Sequence, residues 1–93
     1  MKTPSSLVAL LEKDFEAAQS EDTQNIRDTI MAGLSWKTHY WVDCALKWIE
    51  QGALLDNDIV IRLEEISSNK NYPQKTRHEA FKFSRRWRRA NHT

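Results

Sequence analysis

The chain has 93 residues, enough for one domain with a single core, and 40% of them are hydrophobic, including four tryptophans. Only two glycines and two prolines occur, so the composition favours helices over many short strands. The single cysteine, Cys44, excludes an intrachain disulfide and suits a reducing compartment. No apolar run approaches the length of a membrane span, and the N-terminus does not resemble a signal peptide. These features predict one helical domain over residues 1–93, in the cytoplasm.

The net charge of +1 hides an uneven distribution of charge along the chain. Residues 1–66 carry six basic and twelve acidic side chains, whereas residues 67–93 carry eight basic side chains and one acid. The two parts therefore have net charges of −6 and +7. This asymmetry predicts either an anionic partner for the basic segment or neutralisation of one part of the chain by the other.

The N-terminal segment predicts a first helix that begins at Ser5 or Ser6, because either hydroxyl can cap the free amides of a first turn. Its apolar residues recur at spacings of three and four, typical of a helix buried on one side: Leu7, Leu10, Leu11, Phe15 and Ala18. A polar run over residues 19–23 interrupts this pattern. It predicts the start of a second helix, with Ser20 or Asp22 as the cap.

Where the second helix ends stays open in the sequence. Its apolar residues are Ile26, Ile30, Met31 and Leu34. Glycine costs about 1 kcal/mol in a helix interior, and Ser35 is a suitable cap, which favours a break between Gly33 and Ser35. The alternative is one long bent helix, because the apolar phase continues across Gly33 into Trp41 and Trp48.

Residues 36–51 predict the central helix of the core. Their apolar side chains cover roughly 200° of the helix circumference, namely Trp41, Val42, Cys44, Ala45, Leu46, Trp48 and Ile49. A helix that is apolar over so wide an arc must pack on two sides. Gly52 predicts its C-terminal end, because glycine adopts the left-handed backbone of a C-cap without steric cost.

A fourth helix is predicted to begin at Asp56, as its cap, and to bury a stripe that includes Ile59 and Leu63. The β-branched run 59–61 also suits a strand, but no partner strand is evident elsewhere in the sequence. The polar run 67–72 predicts a loop. Together with the other elements, this pattern predicts an all-α fold, as a single bundle of four to five short antiparallel helices.

The last predicted helix spans about residues 73–90 and is rich in basic residues. Pro73 suits the first helical position, because its missing N–H costs nothing there. A helical projection predicts a buried stripe on one side, made of Thr76, Ala80, Phe83, Trp87 and Ala90. Phe81 falls outside this stripe and lies among arginines.

This basic segment predicts a non-catalytic module that binds an anionic partner, with the backbone of RNA or DNA as the first hypothesis. The candidate contacts are Lys70, Lys75, Arg77, Phe81, Lys82, Arg85, Arg86, Arg88 and Arg89. If Phe81 is exposed, a base can stack on its ring between phosphate-binding arginines. If Phe81 is instead packed under a neighbouring loop and covered by arginine stems, no base can reach its ring, and a protein-interaction module is favoured over nucleic-acid binding.

The second hypothesis is a protein-interaction or regulatory module. Trp36 and Tyr40 project to the polar side of the predicted central helix, and exposed aromatic residues are common at binding hot spots. The alternative is that the first helix or the C-terminal segment covers both side chains. In this hypothesis the basic helix docks on an acidic surface of its own chain or of a partner, which can be a second copy in a homodimer.

The sequence predicts no enzyme, metal site or cofactor. His39 and Cys44 are five residues apart, off the i, i+4 spacing that places two ligands on one helix face. His39 and Asp43 share a face and predict a surface ion pair. Cys44 projects toward the apolar arc of the helix, where a buried thiol is inert, so the pair has no nucleophile.

Overall fold

A computed structural model describes residues 8–13, 15–18 and 23–91. These residues form a 3₁₀ turn and five α-helices, namely the turn Leu10–Glu12, α1 (Phe15–Ala18), α2 (Thr23–Leu34), α3 (His39–Glu50), α4 (Asn57–Ser67) and α5 (Gln74–Ala90). The described ranges contain no strand, so the predicted all-α class is confirmed. The chain divides into an N-terminal unit, Met1–Leu54, and a C-terminal unit, Leu55–Thr93. None of the helices described is both long and apolar enough to cross a membrane.

The predicted first helix does not run unbroken to Ala18. The 3₁₀ turn ends at Glu12, the backbone of the next residue, Lys13, is extended with ψ 154°, and α1 is a single turn. Gln51 supports the start of α1, because its Oε1 accepts a hydrogen bond from the Phe15 amide at 3.1 Å. Leu11, Phe15 and Ala18 are nevertheless buried, as their spacing predicts. The proposed caps and one apolar residue lie outside the described residues: Ser5, Ser6, Leu7, Ser20 and Asp22.

Helices α2 and α3 are separate, so the predicted break after Gly33 is confirmed and the single long bent helix is excluded. Helix α2 ends at Leu34, and residues 35–38 are not helical. Thr38, not Ser35, occupies the N-cap position of α3, and its side chain makes no capping hydrogen bond. The central helix therefore begins at His39 and not at Trp36, so Trp36 precedes the helix on which it was predicted to lie.

Gly33 remains helical, and the structure gives it a packing role. A Cβ atom at this position would lie 2.5 Å from Leu11 Cδ1, 3.1 Å from the Trp41 carbonyl oxygen and 3.2 Å from Ala45 Cβ. Atoms of α3 and of the 3₁₀ turn therefore approach α2 closely at Gly33, the only residue of that helix without a side chain. Gly33, from which the sequence predicts a helix break, is thus the residue where α2, α3 and the 3₁₀ turn meet.

Thr29 in α2 provides a test of the packing in this unit. It is fully buried, and its Oγ1 has no hydrogen-bond partner among the described residues. A buried hydroxyl without a partner costs its desolvation free energy, about 1–3 kcal/mol. We expect Thr29→Val, which keeps the β-branched shape and removes the hydroxyl, to raise the free energy of unfolding by about 1 kcal/mol in a urea titration. A loss of stability would mean that the hydroxyl has a partner.

Trp48 lies in the core of the N-terminal unit. Its side chain is 1% exposed, and its ring packs on Phe15 with a centroid distance of 5.7 Å. Its Nε1 donates to the Lys13 carbonyl oxygen at 2.9 Å, so the one polar atom of the ring is satisfied. Val42 and Leu46 of the same helix are also buried. Of the seven side chains predicted for the apolar arc of α3, five are buried, whereas Trp41 and Cys44 are half-buried.

Two predicted helix boundaries are confirmed. Gly52, just beyond α3, has a φ of 116°, in the left-handed region that favours glycine. The Asp56 carboxylate caps α4, accepting a hydrogen bond from the Ile59 amide at 2.9 Å. Both signals are local, which is why they can be read from a few consecutive residues.

The C-terminal unit is built from α4 packed against α5. Helix α4 buries Ile59, Val60, Leu63 and Ile66, and helix α5 buries Thr76, Ala80, Phe83 and Ser84. The predicted stripe of α5 is confirmed as far as Phe83, while Trp87 is half-buried and Ala90 is exposed. Helix α5 begins at Gln74, so Pro73 occupies the N-cap position and not the first helical position.

Candidate nucleic-acid interface

Helix α5 has one buried side and one solvent side. Because each residue of a helix turns by about 100°, the buried residues share one arc and the remaining side chains project away from it. We call Phe81 and the exposed lysines and arginines of this solvent side, apart from Arg88, the basic face, which therefore consists of Lys75, Phe81, Lys82, Arg85, Arg86 and Arg89. The helix has 17 residues, so it offers a surface about 25 Å long.

Phe81 is the one apolar residue of the basic face and lies at one edge of it, about 40° around the helix from Arg85 and about 140° from Arg86. Its side chain is 53% exposed, whereas that of Phe83, two residues further on, is 2% exposed. The guanidinium carbon of Arg85, one turn later, lies 5.6 Å from the centroid of the Phe81 ring. The alternative that predicts Phe81 packed under a neighbouring loop does not hold. An exposed ring beside a guanidinium group is the arrangement on which the nucleic-acid hypothesis depends.

The cations of the basic face are not committed to carboxylates. Within the described part of the C-terminal unit, none of these five side chains forms an ion pair: Lys75, Lys82, Arg85, Arg86 and Arg89. Lys82 Nζ and the Arg86 guanidinium carbon lie 4.8 and 5.8 Å from the Phe83 centroid, so their stems follow the buried ring. Their N–H groups remain available to an anionic ligand.

Arg88 and Arg77 have structural partners. Arg88 forms a bidentate pair with Glu64 of α4, with Nε–Oε2 and Nη2–Oε1 distances of 2.9 and 2.8 Å. This hydrogen bonding lowers the pKa of the Glu64 carboxyl below its usual value. Arg77 is half-buried and donates through Nε to the Tyr72 carbonyl oxygen at 3.1 Å. These two predicted contacts therefore hold α5 to α4 and to the preceding loop.

The structure separates the two aromatic residues predicted to bind protein. Tyr40, in the first turn of α3, is 59% exposed, and its ring meets the edge of Trp41 with a centroid distance of 4.9 Å. Trp36 is half-buried in the non-helical segment before α3. The pair does not form one face of one helix, and Tyr40 is the more accessible member. Lys70, the remaining predicted contact, is exposed in the loop before α5.

The N-terminal unit contains a small cleft that no sequence pattern predicts. It has a volume of about 150 Å³, and its lining includes Glu12, Tyr40, Cys44 and Lys47. Cys44 is only half-buried there, although its position on the helix predicts a fully buried thiol. Partial burial raises the pKa of the Cys44 thiol. A thiol that stays protonated is a poor nucleophile, so the cleft offers no activated cysteine.

The described residues offer no metal site, and the chain resembles no known protein. In the part of the chain that the structure describes, no group of three or more His, Cys, Asp or Glu side chains could hold a metal ion. Comparison with protein-family models, with curated proteins and with solved structures found no match to this chain. The basic face of α5 is therefore the feature of this chain that points to a function.

Proposed function

We propose that this chain is a non-catalytic module that binds the phosphate backbone of RNA or DNA through the basic face. The observation that carries the proposal is a helix side about 25 Å long whose five cations have no carboxylate partner in the described part of their own unit. Cations in such an array gain free energy by releasing the counterions condensed on a polyphosphate. Contacts of this kind read charge and not base identity, so little sequence specificity is expected.

As part of this proposal, the chain is a single helical domain located in the cytoplasm. In it the helices form one bundle of four to five short antiparallel elements within a single domain, with α5 as the basic C-terminal helix. The all-α composition of the described residues supports this arrangement. A chain with a single cysteine also suits the reducing cytoplasm.

A salt titration of binding to a generic RNA or DNA oligomer tests the proposal. Four or five phosphate contacts imply a slope of roughly −3 to −4 in a plot of log affinity against log salt. Affinity should then fall about a hundredfold between 50 and 200 mM salt. Replacing both Arg85 and Arg89 with Gln should flatten the slope by about two. The fold should persist, since both side chains are exposed.

A matched control removes the same charge from the other unit. Lys37→Gln combined with Lys47→Gln also lowers the net charge by two, at exposed positions outside the basic face. This variant should keep the parental slope. If the two double variants change the slope equally, binding reflects only the total charge of the chain. The basic face would then not be the site.

A second candidate function is protein recognition through Tyr40, favoured by the large exposure of that ring. In this candidate α5 docks on an acidic surface of its own chain, of a partner protein or of a second copy in a homodimer. Nucleic acid should then not bind even at low salt. The Arg85/Arg89 double variant should instead lose a little stability, and the loss should shrink as salt rises. Sedimentation equilibrium tests the homodimer, which Tyr40→Ser should weaken.

A further inference from the structure

We infer that the basic face selects single-stranded nucleic acid over a duplex, with one unpaired base stacked on Phe81. The inference rests on the proposed function and narrows the class of its ligand. It depends on the juxtaposition, on one helix side, of an exposed phenyl ring and guanidinium groups that pair with no carboxylate in the described part of their own unit. Neither element would be sufficient alone, because a ring binds no phosphate and a cation does not distinguish one strand from two.

The ring of Phe81 is accessible to a flat ligand. Slightly more than half of its surface faces solvent, although an apolar ring gains nothing from exposure to water. Arg85 lies beside it, and a guanidinium plane can itself stack on a base. Phe81 and Arg85 together therefore form a platform on which a base can stack, with the positive charge of Arg85 at its edge.

The flanking cations are spaced to follow a strand. Arg85 and Arg89 are four residues apart on the side of the helix nearest Phe81, so their Cα atoms are separated by about 6 Å along the helix axis. Lys82 and Arg86 have the same spacing further round the helix, beside the Phe83 ring. All four side chains are exposed. A flexible single strand that runs along α5 can place successive phosphates near these cations while one base turns onto Phe81.

A duplex cannot use the platform in the same way. Its bases are stacked on one another, so a protein meets their edges in the grooves and not their faces. Phe81 would then contribute at most an apolar contact, such as one with a thymine methyl group in the major groove. The basic face would bind the duplex through phosphates alone, and the ring would add little affinity.

The test compares a mixed-sequence single strand, its duplex and a matched strand that lacks bases, all of one length and at low salt. The full-length parent should bind the single strand more tightly than the duplex. Phe81→Ala should weaken single-strand binding by about 5- to 150-fold, with an unchanged salt slope and unchanged duplex affinity. The abasic strand should bind the parent as weakly as the intact strand binds Phe81→Ala. Phe81→Ala should bind the abasic strand and the intact single strand with equal affinity.

Two further variants separate stacking from simple apolar contact. Phe81→Leu keeps an apolar side chain but has no aromatic face, so its single-strand affinity should fall with that of Phe81→Ala. Phe81→Trp should retain or increase it. If Phe81→Leu binds the single strand like the parent, stacking is not the mechanism, and the inference is overturned.

Failure of the inference is distinguishable from failure of the proposed function. Equal binding of single strand and duplex, salt-dependent in both cases and insensitive to Phe81→Ala, would overturn the inference and leave backbone binding in place. Tighter binding of the duplex, weakened by Phe81→Ala, would assign the ring to a groove contact and also overturn the inference. Absence of binding to any of the three probes would overturn both.

Discussion

Trp48→Ala is expected to lower the free energy of unfolding by about 3–5 kcal/mol, the usual cost of removing an aromatic side chain from a packed interior. The substitution deletes a ring that is almost fully buried and that packs on Phe15. It also removes the indole N–H that binds the Lys13 carbonyl oxygen, and with it a link between α3 and the segment before α1. A small domain has a total stability of about 5–15 kcal/mol, so this loss is a large share.

Urea denaturation followed by far-ultraviolet circular dichroism measures the effect without relying on tryptophan fluorescence. Trp48→Phe is the matched control, since it keeps an aromatic ring near Phe15 and loses only the larger ring and its N–H. We expect it to cost clearly less than Trp48→Ala. If Trp48→Ala melts within a degree or two of the parent, α3 is not the core helix of its unit.

Phe83→Ala should destabilise the protein by about 3–5 kcal/mol, whereas Phe81→Ala should change its stability by no more than about 0.5 kcal/mol. Both substitutions delete the same atoms from the same helix, so they change helix propensity equally. They differ in burial, because the Phe83 side chain is 2% exposed and the Phe81 side chain is 53% exposed. Thermal and urea unfolding of the two variants side by side therefore isolates the contribution of burial.

The comparison also controls the binding experiments. A native circular dichroism spectrum and a parental melting temperature for Phe81→Ala would show that its loss of single-strand affinity is not a loss of fold. Equal destabilisation by the two substitutions would mean that the buried and solvent sides of α5 are wrongly assigned. The basic face would then lose its definition, and the functional proposal would lose its support.

Features that depend on neighbouring residues could be predicted from the sequence. The extent of α5 follows from a long run of helix-forming residues without glycine or proline, and its buried side follows from the period of the apolar residues. The Asp56 cap and the left-handed Gly52 are likewise set by the chemistry of one or two residues. Because these signals act over a few bonds, the all-α class was predictable without knowledge of the packing.

Features that depend on contacts between distant residues were decided only in the tertiary structure. The single turn α1 begins where Gln51, 36 residues later, accepts from the Phe15 amide. Gly33 is required by the approach of Leu11 and Trp41, which no local pattern shows. The late start of α3 separates Trp36 from Tyr40, so a face predicted from helical phase does not form. A helical projection gives the direction of a side chain only for residues within the helix, and Trp36 lies before the start of α3.

The candidate site shows the same division between local and distant effects. The sequence by itself determined that positive charge accumulates on α5 and that Phe81 lies outside the apolar stripe, because both follow from composition and period. Which cations remain available was decided by packing. Arg88 is paired with Glu64, 24 residues away, and Arg77 donates to the Tyr72 carbonyl oxygen, whereas Arg85 lies beside the Phe81 ring and forms no ion pair with a described residue of its unit. The spacing along a chain does not specify which carboxylate an arginine meets, since that pairing requires two helices to be packed side by side.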